Sequence, residues 1–181
     1  MSTIEIHRND ITRLTTDAIV NAANEHLAEG GGVCGAIFRA AGSAKLAKEC
    51  ARYGHCDTGS AVITPACGIG SVSYIIHAVG PVYRGGDHGE AEQLYRVYQS
   101  ALSLAKKHAC RSVAFPLISG GIFGYPRDEA WRIALTSCRD FISGDPDYEI
   151  SIVFVATARE TVEQGRRIYR ELMKEREEEK V

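Results

Sequence analysis

The chain has 181 residues, 24% of them charged and 45% hydrophobic, with a formal net charge of -2. That balance excludes a disordered segment, suits a globular chain large enough to bury a core, and lacks the basic excess of a surface for direct nucleic-acid binding. No apolar run approaches the ~20 residues that span a bilayer and no signal-peptide pattern opens the sequence, so no membrane partner and a cytoplasmic location are expected.

In chain order, Thr3 to His7 alternates apolar and polar, with Ile4 and Ile6 on one face, and predicts a half-exposed edge strand. Asn9-Asp10-Ile11-Thr12 is a turn into a short connector, and Asp17-Ala18-Ile19-Val20-Asn21 a compact strand of buried type. A helix is expected from Gly35 to Ala41, stopped by Gly42; Ser43 then caps a second one that turns Leu46, Ala47 and Cys50 inward. Ser60 to Thr64 and Tyr74 to Val79 read as strands, and Gly85 to Gly89 as a flexible surface loop.

From Glu90 to Lys107, Leu94, Val97, Ala101, Leu104 and Ala105 recur at helical spacing. Ser112 to Phe115 is a strand, and Pro126 stands near the start of a helix whose core face reads Ala130, Ile133, Ala134, Ser137 and Phe141. Gly144 to Asp147 ends it. Ile150 to Val155 is the last strand, and a final helix carries Val162, Ile168 and Leu172 inward before fraying over Glu175 to Lys180. Strands alternate with helices, with no linker or repeat. The expectation is one α/β domain over residues 1–181, a three-layer α/β/α sandwich around a mixed central sheet.

Two glycine-rich loops stand out, Gly30-Gly31-Gly32-Val33-Cys34-Gly35 and Ser119-Gly120-Gly121-Ile122-Phe123-Gly124. Each follows an apolar strand and runs into a helical pattern, the layout that sets backbone N–H groups and a helix dipole around an anion. Two such loops suggest a ligand with two phosphates held from both sides, gathered at the carboxyl ends of the strands. The first loop satisfies the glycine spacing of a dinucleotide fingerprint. It fails the context, because the glycines come several residues after Val20 and the following stretch, Ala44 to Tyr53, is helical rather than a strand ending in an acid. The six cysteines, at 34, 50, 56, 67, 110 and 138, form no Cys-x-x-Cys pair and read as reduced, buried thiols with no metal site.

Asn9-Asp10-Ile11-Thr12, Asp17 through Asn24, Gly30-Gly31-Gly32-Val33, Ser60 through Thr64, His77-Ala78-Val79-Gly80-Pro81 and Phe115 through Pro126 together resemble the macrodomain family. The resemblance implies a macrodomain fold that binds ADP-ribose and, in many members, hydrolyses ADP-ribose on proteins or O-acetyl-ADP-ribose. The expected partner is thus ADP-ribose or an ADP-ribosylated protein, with no cofactor. By matching position, Asp10, with Ile11 beside it, would take the adenine amino group, and Asn24 would orient the distal ribose as the catalytic residue. Gly31, Gly32, Val33 and Cys34 would line the distal ribose and diphosphate. Ser119, Gly120, Gly121, Ile122 and Phe123 would close over the diphosphate, with Phe123 near the distal ribose.

The sequence departs from the hydrolase pattern where that pattern has an acid, here Cys34, and a histidine, here Phe38. Where the family stacks an aromatic on adenine, it has Val155-Ala156-Thr157-Ala158. Of the remaining titratable groups, Glu29 reads as an exposed loop carboxylate and His77 as a satisfied core histidine. The substrate's own diphosphate is then left to hold the attacking water. A hydrolase with reduced machinery and a non-catalytic ADP-ribose-binding module are the two readings.

Overall fold

The computed structural model describes residues 1–181. Six strands, β1 (Thr3–Arg8), β2 (Ala18–Ala23), β3 (Ala61–Pro65), β4 (Tyr74–Val79), β5 (Ser112–Phe115) and β6 (Ser151–Ala156), form one sheet in the order β1-β6-β5-β2-β4-β3. All neighbours run parallel except β3, which is antiparallel to β4, so the sheet is mixed. Central parallel strands are covered on both faces and need apolar residues at consecutive positions. β2 meets that need, with Ala18 and Val20 in one core and Ile19 and Ala23 in the other; so does β4, with Ile76 and Ala78 against Ile75 and Val79.

Helices α1 (Gly32–Ala41) and α2 (Ser43–Ala51) cover one face, and α3 (Glu90–Lys107), α4 (Arg127–Gly144) and α5 (Arg159–Glu179) the other. The three-layer sandwich is as expected, and β1 is the edge strand that its alternation predicts. Several local expectations change. α1 begins at Gly32 rather than Gly35, because Gly31 stands at the N-cap with extended backbone and brings Val33 and Cys34 into the first turn. Ser43 is not a cap: Gly42, at φ +88°, holds that position, and the Ser43 hydroxyl donates to Glu29 Oε1 at 2.6 Å. Ala47 faces solvent.

α4 packs between α3 and α5, so it buries two flanks rather than one stripe. Trp131, Leu135 and Cys138 are therefore buried beside Ala130, Ala134 and Ser137, while Ile133 and Phe141 are only half-buried. The last turns of α5 do not fray. They stay helical to Glu179, tied to α4 by Arg132–Glu175 at 3.1 Å and Asp140–Arg176 at 3.6 Å, and Leu172 is half-buried. The loop before α3 is exposed but tethered, since the Glu90 carboxylate accepts the N–H groups of Arg84 and Gly86 at 2.9 and 2.8 Å and that of His88. Burial opposes ionisation of Glu90, yet those backbone donors outweigh it and hold the carboxyl down to about 2.

Candidate functional site

β1, β6, β5 and β2 all end on the same side of the sheet, and the segments leaving them enclose a cavity of about 700 Å³. β1 leads to Asn9, Asp10 and Ile11; β6 ends in Val155 and Ala156 and continues to Thr157 and Ala158; β5 is followed by Pro116 through Phe123; β2 ends in Ala22 and Ala23, with Asn24 and Gly30 through Cys34 beyond. Three inter-strand steps of ~4.8 Å separate β1 from β2, so the cavity is about 14 Å long across the strand ends. All twelve residues expected at the site lie on it: Asp10, Ile11, Asn24, Gly31, Gly32, Val33, Cys34, Ser119, Gly120, Gly121, Ile122 and Phe123.

The two glycine loops face each other. A Cβ added to Gly31 would stand 3.2 Å from Ile122 Cδ1, whereas one on Gly121 would meet nothing within 4 Å. The requirement for glycine is local. Gly32 needs its positive φ of +56° to start α1, while Gly35 has no room, its Cβ falling 2.6 Å from the Gly30 carbonyl. No side chain caps α1, so the N–H groups of its first turn and the positive end of its dipole point toward whatever occupies the cavity. An anion is the chemistry that such a terminus accepts.

In the second loop Ser119 holds φ +64°, and its hydroxyl donates to the Pro81 carbonyl at 2.7 Å. Gly80 is obligatory beneath it, since a Cβ there would fall 2.4 Å from Ser119 Oγ. Ile122 is 80% exposed at the rim and Phe123 half-buried, so Phe123 is a wall of the cavity rather than a core aromatic. Asp10 accepts the hydroxyl and N–H of Thr12 at 2.7 and 2.9 Å, which holds its carboxyl below the ordinary range, and Oδ2 has only the Arg13 guanidinium beside it, Nε at 3.9 Å. Asn24 closes the turn after β2: Oδ1 accepts Ala28 N–H at 3.1 Å and Nδ2 donates to Ala28 O at 2.9 Å. Its orientation is thereby set, with one N–H and one lone pair to spare. The Cys34 thiol, 6% exposed, lies 3.7 Å from the same Ala28 carbonyl.

Other candidates fall outside. Phe38 is 1% exposed in the core under α1, Glu29 is engaged by Ser43, and His77 is fully buried. Asn21 and His77 pair across β2 and β4, and Asn21 Nδ2 lies 3.1 Å from His77 Nδ1. With Nδ1 accepting, Nε2 carries the proton and donates to Thr64 Oγ1 at 3.0 Å. Burial pushes the imidazole down to about 4, so it stays neutral. Sequence reasoning missed Arg127 and Thr161, which line the cavity from α4 and α5 and join through a 3.1 Å bond from Arg127 Nη1 to Thr161 Oγ1. An arginine one residue past Pro126, at the first turn after the second glycine loop, was the available signal.

The sequence profile of the Macro domain family matches residues 20–134. An O-acetyl-ADP-ribose deacetylase of Salmonella gallinarum is 52% identical over 147 residues, covering 78% of this chain and 80% of that protein. A macro domain-containing protein of Chlorobaculum tepidum is 51% identical over 140 residues, covering 77% and 80%. Among solved structures, the Oceanobacillus iheyensis macrodomain with ADP superposes with TM-score 0.87 at 35% identity, over 96% of this chain and 93% of that one. The Trypanosoma brucei macrodomain in complex with ADP-ribose gives 0.81 at 37% identity, over 90% and 67%.

Proposed function

The chain belongs to the Macro domain family, and on that premise we propose that its cavity binds ADP-ribose and that the protein hydrolyses ADP-ribose derivatives, an O-acetyl ester or a mono-ADP-ribosylated protein. The observation that carries the reading is the pair of glycine loops facing each other across a cavity open to the uncapped N-terminus of α1. Its support from relatives is the deacetylase name at 52% identity and neighbours solved with ADP and ADP-ribose.

In this reading adenine lies at the β1–β6 end, its amino group donating to Asp10. The diphosphate takes the N–H groups of Gly32, Val33 and the second loop, and the distal ribose lies against Asn24 and Phe123. Such a site is preorganised, because the turn to Ala28 already fixes the Asn24 amide. Water held by the diphosphate attacks. In an acetyl ester its oxygen bonds to the carbonyl carbon, the bond to the ribose oxygen breaks, and that oxygen takes the proton the water gives up. Fixed N–H dipoles stabilise the charge that develops.

A binding module that does not turn ADP-ribose over is the second reading. It is favoured by one fact: Asp10 is the only carboxylate lining the cavity, and Thr12 already engages it. Turnover of O-acetyl-ADP-ribose and of mono-ADP-ribosylated protein, assayed side by side, decides between them. Release of acetate or free ADP-ribose supports the hydrolase; tight binding with neither product supports the module.

A further inference from the structure

Two short stretches outside the cavity come together where the β2 turn meets the segment before β3. Glu25 and His26 directly follow Asn24, and His55-Cys56-Asp57 precedes β3. The Cys56 N–H donates to the Glu25 carbonyl at 2.9 Å, and the Thr58 N–H to Glu25 Oε2 at 3.3 Å. This backbone pairing brings one ligating atom each of Glu25, His55 and Asp57 within 4.8 Å of one another. His55 Nε2 is 2.8 Å from Asp57 Oδ1 and 4.0 Å from Glu25 Oε2. The ring of His26 stands edge-on to that of His55, with centroids 6.5 Å apart.

We propose that Glu25, His55 and Asp57 form a binding site for a divalent transition-metal ion of the zinc class. One imidazole nitrogen and two carboxylate oxygens, with water in the fourth position, are a donor set that zinc accepts in tetrahedral geometry, and the His26 ring stands outside that cluster. Bonds of ~2.0–2.2 Å to such an ion put neighbouring donors about 3.4 Å apart, a separation bracketed by the present 2.8 and 4.0 Å. Magnesium and calcium want six or more oxygens and do not match this set. The expectation of no metal site came from sequence spacing; these donors belong to two stretches that only the fold unites. An ion here would clasp the turn that carries Asn24 to the strand β3 segment, bracing one wall of the cavity from outside. The proposal does not depend on what the cavity binds.

The test is calorimetric titration of Zn²⁺, Ni²⁺ and Mg²⁺ into the full chain after chelator treatment. His55→Ala, Asp57→Ala and Cys67→Ser are run in parallel, since Cys67 is a half-buried thiol that offers zinc another home. Expected are one zinc per chain at micromolar affinity, comparable nickel binding and no magnesium binding. His55→Ala and Asp57→Ala, both at exposed positions, should each weaken zinc by at least about tenfold, with Cys67→Ser unchanged. Absence of zinc binding below millimolar concentration would overturn the proposal, as would zinc binding that survives His55→Ala and disappears in Cys67→Ser.

Discussion

At the scale of single residues, the chain separates groups that hold the fold from groups that face the cavity. His77 belongs to the first kind. Its Nδ1 already accepts from the Asn21 amide, so a proton added there would set two donors against each other. An unfolded histidine titrates near 6.5 and His77 near about 4, so between those values the unfolded chain holds the extra proton. Stability contributed by this group is therefore complete above 6.5, falls as pH drops through that window, and levels off below about 4. Urea unfolding at about pH 7 and about pH 5 should differ by about 2 kcal/mol from this group. In His77→Gln that part of the slope should vanish, and equal slopes in the two proteins would count against the assignment. Cys34 belongs to the second kind: it lines the cavity, at the position where the resemblance to hydrolases implies an acid. Cys34→Asp should raise turnover of O-acetyl-ADP-ribose, by up to ~100-fold if general-base help is what the thiol lacks, while Asn24→Ala lowers it. If only Asn24→Ala moves the rate, substrate-assisted water does the work and Cys34 is a spacer.

At the scale of elements, local patterning of apolar runs, helical spacing and turn residues located all six strands and five α-helices, with α3, β4 and β5 matching to the residue. The single 3-10 turn, Ile11–Arg13, was read only as a turn. What the patterning missed were features that depend on partners. The buried flank of α4 is set by helices on both sides of it, and Trp131 is accommodated because Gly165 on α5 has no side chain: a Cβ there would stand 2.6 Å from the indole. Gly165→Ala should lower stability by about 1–3 kcal/mol from overpacking, despite the better helix propensity of alanine. Chemical denaturation would register this as a lower midpoint with unchanged slope, and an unchanged midpoint would contradict the packing. Ser43 was misjudged for the same reason: its hydroxyl has a partner, Glu29, outside the local sequence. The second glycine loop offers the opposite case. Gly121 has open space around its Cβ position, so Gly121→Glu should fold normally, yet it sends a negative charge toward the proposed diphosphate. Loss of ADP-ribose binding with an unchanged circular dichroism spectrum is expected; retained affinity would move the diphosphate elsewhere.

At the scale of the whole molecule, strand order does what neither loop does alone. Asp10 and Asn24, read from separate motifs, reach one cavity because β1 and β2 end on the same side of the sheet, separated by β6 and β5. The motifs made the glycine loops and their meeting place legible before any coordinates. Arg127 and Thr161 were not, because they arrive from helices whose rotation no local pattern sets, and the Glu25–His55–Asp57 cluster was not, because its members meet only through a backbone pairing between loops. The proposed reading, with adenine at Asp10 and the distal ribose at Asn24, needs an elongated ligand with a free distal ribose, which AMP lacks and NAD blocks with nicotinamide. Calorimetry comparing ADP-ribose, AMP and NAD on the unmodified protein tests that claim most directly. ADP-ribose should bind in the micromolar range, about -8 kcal/mol, with AMP and NAD clearly weaker; NAD binding as tightly as ADP-ribose, or tighter, would contradict it.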